Sequence, residues 1–393
     1  MRLISDDERR ARLAVRHALA PASRVADAVA ATRAMTVLHA TEPATVYLSL
    51  IARVDALAVA DVDRALYEER TLVKQLAMRR TLFAFPRDLL PAAWGSASAR
   101  VAGVERRRMA KDVVKAGVAA DGDAWVDRAR TLVRDAVAAQ PAGLTAVQVR
   151  EAVPEVAVTF DVSAGAVWGY GRVLTHLGAT ADLVRGDNTQ HWRTSRPRWT
   201  LMDRWLGEEP APLTPVEGYA ALVGRWLATF GPGTAADLQW WLGATGAAVG
   251  QALADVGAEP VGLESGETGW VLPGDAASAP EVGPWAALLP VLDPTVMGWK
   301  ARDFYLGPHA PALFDRNGNA GTTAWWDGRV VGCWVQDPAG RVVVHLVTDV
   351  PRAGRRALET EAERLTARLD GLRVGTVYPS PAMKAAAEVA ARP

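Results

Sequence analysis

The chain has 393 residues, half of them hydrophobic, and its 44 basic residues balance its 44 acidic residues. This composition excludes a disordered tail protein and a strongly basic coat protein, whereas a local basic surface that binds nucleic acid remains compatible with zero net charge. At roughly 100–200 residues per domain, the length predicts two to four domains.

The only cysteine, Cys333, rules out a disulfide within the chain and argues against a zinc site with cysteine ligands. The N-terminus has no signal-peptide pattern, and no apolar run reaches the length of a membrane span. The cytoplasm is therefore the expected compartment.

Residues 1–115 predict short helices followed by a β-rich segment. Ser5, with Glu8 three residues later, is a predicted helix N-cap. Pro43 ends the second predicted helix, because the residue before a proline is disfavoured in the helical region. The run 81–85 is a predicted strand that closes this segment.

The same order of elements recurs in residues 116–207 and again in residues 208–280. Each repeat contains a short helix capped by threonine (Thr145 and Thr234), a second helix and a turn-rich segment; Ser163 is the predicted cap of the second helix in the first repeat. This order is typical of a winged helix-turn-helix. The sequence thus predicts three tandem winged-helix units, and a generic α+β arrangement is the alternative.

Residues 281–393 have a different pattern. Short β-rich runs separated by Asp327-Gly328 and Ala339-Gly340 predict hairpins of a small β-barrel. A charged helix from about Pro351, a short strand (LRVGTVY) and a closing helix follow. The predicted fold class is therefore α+β, with three winged-helix units and a C-terminal small β-barrel.

Several common catalytic patterns are absent from the sequence. It contains no Walker A motif, no GxSxG elbow and no HExxH pair, and its six histidines do not fall at metal-ligand spacing. Neither a metal nor a cofactor is predicted. Lys74 is the candidate amine for Schiff-base chemistry, but we expect it on the surface of an amphipathic helix. Asp293 and Arg302 are predicted to form a structural ion pair.

The helix break at residues 39–43 brings three chemically useful side chains together. His39 and Thr41 are two residues apart, so they face the same side of an extended chain, and Glu42 lies beside them. The group supplies an imidazole, a hydroxyl and a carboxylate. The alternative is a simple helix start, with Thr41 or Glu42 as the N-cap and a locally bonded histidine.

Four ordered blocks of this sequence match a known family. They are VLHAT with the following YLSLIARV, then RTLVKQLAMRRTLF (70–83), RWLATFGPGTAADLQWWLG (225–243), and LLPVLDPTVMGWKARDFYL (288–306) followed by DGRVVGCW. The chain resembles the winged-helix HTH_42 family, which includes the AlkZ-like and YcaQ-like DNA glycosylases.

This resemblance implies three winged helices and a small barrel that form a concave basic surface around duplex DNA. It also implies hydrolysis of the N-glycosidic bond of bulky, alkylated or crosslinked purines. In the family a Gln-x-Gln or Gln-x-Asp motif positions the attacking water. His39 and Thr41 occupy those motif positions in this chain.

Alkylated purines are cationic leaving groups, so the reaction needs a well-placed water and a negative field near the sugar. We expect His39, in its neutral form, to orient or deprotonate the water, Thr41 to hold it, and Glu42 to supply the field. Activity should then fall at a pH below the ordinary imidazole pKa of about 6.5. Abasic sites without strand cleavage are the expected product of such a monofunctional enzyme.

Arginines are the expected contacts to DNA phosphates. The candidates are Arg79 and Arg80 just before the first wing, the run Arg106, Arg107 and Arg108, and Arg193, Arg196 and Arg198 in the second wing. Three DNA-binding units in one chain favour a monomer on double-stranded DNA. The alternative function is a non-catalytic winged-helix protein, either a regulator or a lesion sensor; another activity on the same scaffold is the third reading.

Overall fold

The computed structural model describes residues 1–162, 165–279 and 281–391, and its fold is α+β. The chain divides into two compact units. The first consists of Met1–Val62 with Val223–Pro393, and the second of Asp63–Leu222. The four predicted domain boundaries remain a prediction. Within the described ranges, no helix has the length and apolarity needed to cross a membrane.

Helices form much of the first unit. Val59–Asp63 and Pro215–Phe230 contain the two points where the chain passes between the units. The first unit's other helices are Asp6–Arg16, Ala28–Ala34, Pro43–Ile51, Ala235–Leu242, Gly246–Asp255, Pro294–Met297, Asp303–Leu306, Ala310–Leu313, Arg352–Leu369 and Pro381–Ala390. Its strands are Leu3–Ile4, Leu38–His39, Glu259–Leu263, Thr268–Val271, Ala286–Leu289, Thr323–Trp326, Arg329–Gln336 and Val342–Leu346.

The predicted caps of the first unit are present. Ser5 accepts the Glu8 backbone N–H, and Thr234 forms a full capping box with Asp237. The helix and hairpin that were expected after Thr234 are also confirmed. Sequence reasoning missed the third strand of that sheet, because the two-residue segment Leu3–Ile4 pairs in parallel with a strand more than 250 residues away.

The C-terminal strands form an antiparallel sheet in the order Ala286–Leu289, Thr323–Trp326, Arg329–Gln336 and Val342–Leu346. Asp327 and Gly328 both adopt positive φ, as a tight two-residue hairpin turn requires. Because the order has two ends, the sheet is open, and no closed barrel is present among the described residues.

The predicted strand LRVGTVY is wrong. Residues 372–378, named here the C-terminal loop, have no regular structure and lie between helix Arg352–Leu369 and helix Pro381–Ala390. Two side-chain anchors, Glu42 and Gln336, replace strand pairing in this loop. The alternating pattern was misleading because β propensity depends on a neighbouring strand that accepts the pairing.

A buried polar network connects the helix Pro43–Ile51 to the segment that precedes helix Pro294–Met297. Thr45 and Ser49 are four residues apart on one face of this helix, and Arg53 follows two residues after the helix ends. Thr45 donates to the Val291 carbonyl at 3.0 Å, Ser49 to Asp293 at 2.7 Å, and both terminal Arg53 nitrogens reach Asp293 at 2.8 and 2.9 Å.

The predicted pair of Asp293 with Arg302 is therefore wrong. The Arg53 guanidinium, fully buried against Asp293, lowers the pKa of that carboxyl in spite of its burial. Arg302 instead packs its guanidinium on the rings of Trp240 and Phe314, at 4.9 and 4.6 Å from the ring centroids. Arg53 pairs with Asp293 because it directly follows the helix whose Thr45 and Ser49 already bond to this segment.

The second unit combines helices with three β-hairpins. Its helices are Leu90–Ala93, Ala99–Lys115, Gly122–Ala138, Ala146–Ala152, Gly169–Ala179 and Met202–Leu206. Its strand pairs are Leu72–Ala77 with Thr81–Pro86, Thr159–Val162 with Gly165–Trp168, and Leu183–Asn188 with Pro197–Leu201. Apolar residues of four of these helices, from Ala99–Lys115 to Gly169–Ala179, and of the last two hairpins form a common core around Val133, Val173 and Leu183.

Two further predictions for the second unit need correction. Thr145 does form the predicted capping box, but the helix expected from Ser163 begins at Gly169, after a short hairpin; Ser163 itself lies outside the described residues. Lys74 lies on strand Leu72–Ala77 and not on an amphipathic helix. The strand was missed because the spacing of the apolar residues in LVKQLA fits the helical period as well as the strand period.

Candidate active site

The turn predicted to carry the chemistry joins a short extended segment to a helix. Leu38–His39 is a two-residue strand, and Pro43 is the first residue of helix Pro43–Ile51. A proline is well suited to this position, because its fixed φ fits the helix and the missing N–H would have no helical acceptor. The sequence therefore fixes where the turn ends.

The turn emerges from the interior towards solvent. His39 is only 4% exposed and Ala40 only 3% exposed, whereas Thr41 is exposed. A molecule that approaches from solvent therefore meets Thr41 before His39. That His39 and Thr41 face one side remains a prediction.

Glu42 occupies the N-cap position of the helix, but its side chain makes no capping bond. Its carboxylate instead accepts a hydrogen bond from the Thr376 hydroxyl at 2.8 Å and one from the Val377 backbone N–H at 2.9 Å. Burial raises the pKa of the Glu42 carboxyl, and the two hydrogen bonds oppose that shift. The alternative in which this residue serves as a simple helix cap is thus wrong for Glu42.

The partners of Glu42 belong to the C-terminal loop, which has a second anchor at its other end. The Val374 N–H donates to the Gln336 side-chain oxygen at 2.8 Å, and the Gln336 amide donates to the Leu372 carbonyl at 3.0 Å. No motif in the sequence signals these contacts, because Glu42 and Thr376 are 334 residues apart.

A cavity of about 130 Å³ lies beneath this loop. Its walls are the loop itself, the Glu42, Ala44 and Leu48 side of the helix, and the apolar side chains of Trp334 and Met383. The loop is therefore held by its two hydrogen-bonded ends more than by packing on the core.

Comparison with known protein families assigns the chain to one of them. The profile of the family described as DNA glycosylase AlkZ-like matches residues 32–368 and so includes the turn, Glu42 and the buried polar network. The chain belongs to the AlkZ-like DNA glycosylase family. It is a DNA glycosylase, a hydrolase of N-glycosyl bonds that functions in DNA repair, which confirms the catalytic interpretation over the non-catalytic one.

The solved structure of Streptomyces sahachiroi DNA glycosylase AlkZ is similar to this glycosylase, with a TM-score of 0.73 and 21% sequence identity. The match covers 95% of this chain and 99% of that chain. At this identity the likeness shows a shared fold. A comparison with curated proteins gives no match.

The first group of candidate DNA contacts in this glycosylase lies on hairpin Leu72–Ala77/Thr81–Pro86. Arg79 and Arg80 are the last two residues of its three-residue connection, not residues before it, and both have positive φ (54° and 60°). Two adjacent non-glycine residues in this region carry backbone strain of the kind found at functional sites. The hairpin thus presents its arginines in a conformation that glycine would adopt at lower cost.

The second group lies on helix Ala99–Lys115, which has six basic and two acidic residues. Glu105 joins the two groups, because Arg80 approaches it at 3.0 Å and Arg108 at 3.9 Å. Arg106 is engaged elsewhere, with Asp127 at 2.6 Å and Asp123 at 3.1 Å on the neighbouring helix. Arg107 is exposed.

The third group lies on the last hairpin of the second unit. Arg193 donates to the His191 ring at 3.1 Å, and the Arg196 backbone N–H donates to Asn188 at 2.8 Å. Arg198 donates to the Gly143 carbonyl at 3.2 Å. The Arg196 side chain is exposed, so this loop carries a guanidinium towards solvent.

Lys74 has an unusual setting that the sequence did not reveal. Its ammonium donates to the Tyr67 hydroxyl at 2.6 Å, and burial with the nearby charge of Arg185 lowers the pKa of Lys74 to about 8. The space that it lines, next to Thr175 and Trp199, is only about 10 Å³. A sugar does not fit there, so Lys74 remains outside the proposed chemistry. Among the described residues, no group of three or more potential ligands is placed to hold a metal.

Proposed function

We propose that this glycosylase removes cationic, N-alkylated or crosslinked purines from double-stranded DNA, and that the turn from His39 to Thr41 directs the attacking water. The observation that carries the proposal is the family match over residues 32–368, which contains a turn that brings Thr41 to solvent two residues after a buried imidazole. The chemistry needs no group beyond the protein, water and DNA.

Water attacks C1′ of the damaged nucleotide while the bond from C1′ to the base nitrogen breaks. The bonding electrons neutralise the positive charge of the alkylated base, so the departing base needs no proton. The water loses one proton, which the neutral His39 ring accepts, and the product is an abasic site. A correctly placed general base contributes typically 10²–10⁴-fold.

Thr41 and Glu42 have different parts in this proposal. The hydroxyl of Thr41, an exposed residue, holds the water in the path between the sugar and the imidazole. The carboxylate of Glu42 is bonded to the C-terminal loop, so its predicted electrostatic role is supported only by its place next to Thr41. Its contacts favour a second role, the positioning of that loop.

DNA affinity is proposed to come from arginines of the second unit. Arg79, Arg80, Arg107 and Arg108 form one candidate phosphate-binding group, and Arg193, Arg196 and Arg198 form another. Two carboxylates already engage Arg106, and DNA binding would have to break both ion pairs. The order of helices and hairpins in residues 146–201 and 235–271 supports winged-helix units as the DNA-binding modules. We further propose that the protein is a monomer and that it acts in the cytoplasm.

The test incubates the protein with duplex DNA that carries N7-methylguanine and, separately, an interstrand crosslink, and scores abasic sites after alkali treatment. We expect alkali-labile sites with wild type and their loss in His39→Ala. His309→Ala is the control, since it removes another imidazole of the same unit, one that is partly exposed. Equal activity of His39→Ala and His309→Ala would overturn the role of His39.

A further inference from the structure

The C-terminal loop places an exposed apolar side chain next to the proposed catalytic turn. Val377 is 78% exposed, although its own backbone N–H is bonded to the largely buried carboxylate of Glu42. Because Glu42 follows Thr41 directly, Val377 lies one side chain away from the turn. An exposed valine alone is unremarkable, but here a buried anchor fixes its position.

The anchor is specific and local. The two Glu42 oxygens bind consecutive loop residues, Thr376 through its hydroxyl and Val377 through its N–H, and the Tyr378 N–H donates back to the Thr376 hydroxyl at 2.9 Å. This ring of bonds fixes the backbone on both sides of Val377. The cavity beneath the loop provides little packing that would do so instead.

A DNA glycosylase needs a rigidly held apolar side chain of this kind. The reacting sugar atom of a stacked nucleotide is hard to reach, and proteins that unstack DNA insert apolar side chains between base steps. The insertion side chain must be exposed before binding and held rigidly beside the site of reaction. Within the described part of the first unit, Val377 satisfies both conditions next to Thr41.

We propose that Val377 enters the base stack beside the damaged nucleotide and that Glu42 is the positioning residue that holds it there. This inference rests on the proposed function for its substrate, but it assigns a different step, the unstacking that precedes hydrolysis. Val377 is the contact to DNA, and Glu42 acts through the loop.

The first experiment measures unstacking without hydrolysis. A duplex with 2-aminopurine next to a non-hydrolysable analogue of the lesion nucleotide is mixed with wild type, Val377→Ser or Val389→Ser. Val389 is the matched control, because it is 58% exposed on the closing helix. Wild type and Val389→Ser should raise the fluorescence, and Val377→Ser should lose most of that rise. An equal rise for all three proteins overturns the proposal.

The second experiment compares duplex with single-stranded substrate under single-turnover conditions. Val377→Ser should slow hydrolysis in the duplex by about tenfold, because the opened base step then lacks its apolar partner. It should leave the single-stranded rate within about twofold, because those bases are already free to leave the stack. Equal slowing on both substrates would contradict the proposed step.

Glu42 is tested with two variants. Glu42→Gln keeps an acceptor for the Val377 N–H, so it should retain most of the 2-aminopurine fluorescence rise, whereas Glu42→Ala should lose it as Val377→Ser does. If Glu42→Ala loses the rise while Val377→Ser keeps it, Glu42 does not act through Val377. If wild type unstacks the duplex but does not hydrolyse the substrate, the insertion of Val377 stands and the proposed reaction is refuted. The failure of this inference is therefore distinguishable from the failure of the proposed function.

Discussion

The buried network around Asp293 makes the sharpest prediction about stability. Asp293 accepts four hydrogen bonds, from Ser49, from both terminal nitrogens of Arg53 and from the Thr295 N–H, all between 2.7 and 2.9 Å. Asp293→Ala leaves the Arg53 guanidinium fully buried without its counterion. Removing one partner of a buried ion pair typically costs about 3–5 kcal/mol.

Ser49→Ala is the matched smaller change. It removes one hydrogen bond to a charged acceptor, which corresponds to about 1.5–3 kcal/mol. The double variant Arg53→Met with Asp293→Leu removes both charges, so it should be more stable than Asp293→Ala, because no unpaired ion stays buried. The order of stabilities distinguishes an unpaired charge from a simple loss of contacts.

Urea unfolding followed by tryptophan fluorescence measures these differences. We expect the free energy of unfolding to decrease most in Asp293→Ala and less in Ser49→Ala, with partial recovery in the double variant. An Asp293→Ala protein within about 1 kcal/mol of wild type would show that the pair does not hold helix Pro43–Ile51 in place.

Three other predictions concern the DNA contacts, the pH dependence of stability and the chemistry. Arg107→Ala should reduce the slope of log affinity against log salt concentration by about one, whereas Arg106→Ala, whose guanidinium is held by Asp123 and Asp127, should leave it unchanged; equal slopes for both variants would refute that division. Burial lowers the pKa of His17 to about 3, so the folded protein keeps a neutral ring, whereas the unfolded chain takes up a proton below the ordinary imidazole pKa of 6.5. The free energy of unfolding should therefore fall by about 2 kcal/mol on acidification to about pH 5. His17→Gln should abolish that part of the pH dependence in urea titrations. Borohydride should trap no covalent complex with DNA and Lys74→Gln should behave as wild type, since Lys74 lines too small a space for a sugar; a trapped complex that disappears in the variant would make the enzyme bifunctional.

The elements of the fold that depend on interactions within a few residues could be predicted from the sequence. Caps at Ser5, Thr145 and Thr234 and the turn at Asp327-Gly328 follow from side-chain donors, acceptors and backbone preferences within a few residues. The missed elements depend on distant partners. Leu3–Ile4 becomes a strand only because Glu259–Leu263 offers an edge to it.

In the candidate site, too, local features could be predicted from the sequence and contacts with distant residues could not. Proline chemistry fixed the end of the turn at residue 43, and the family blocks pointed to residues 39 and 41. The partner of Glu42 lies 334 residues away and was invisible to spacing arguments. The Asp293 ion pair was assigned to the nearby Arg302, because sequence proximity says nothing about which helix face packs against the carboxylate.

The most direct measurement is the single-turnover rate of base release from duplex DNA that contains N7-methylguanine. The central claim is that the imidazole of His39 and the hydroxyl of Thr41 direct the water. His39→Ala should be slower than wild type by at least about 100-fold, and the double change His39→Gln with Thr41→Gln, which restores the family's glutamine pair, should keep measurable activity. A His39→Ala rate equal to that of wild type would contradict the account.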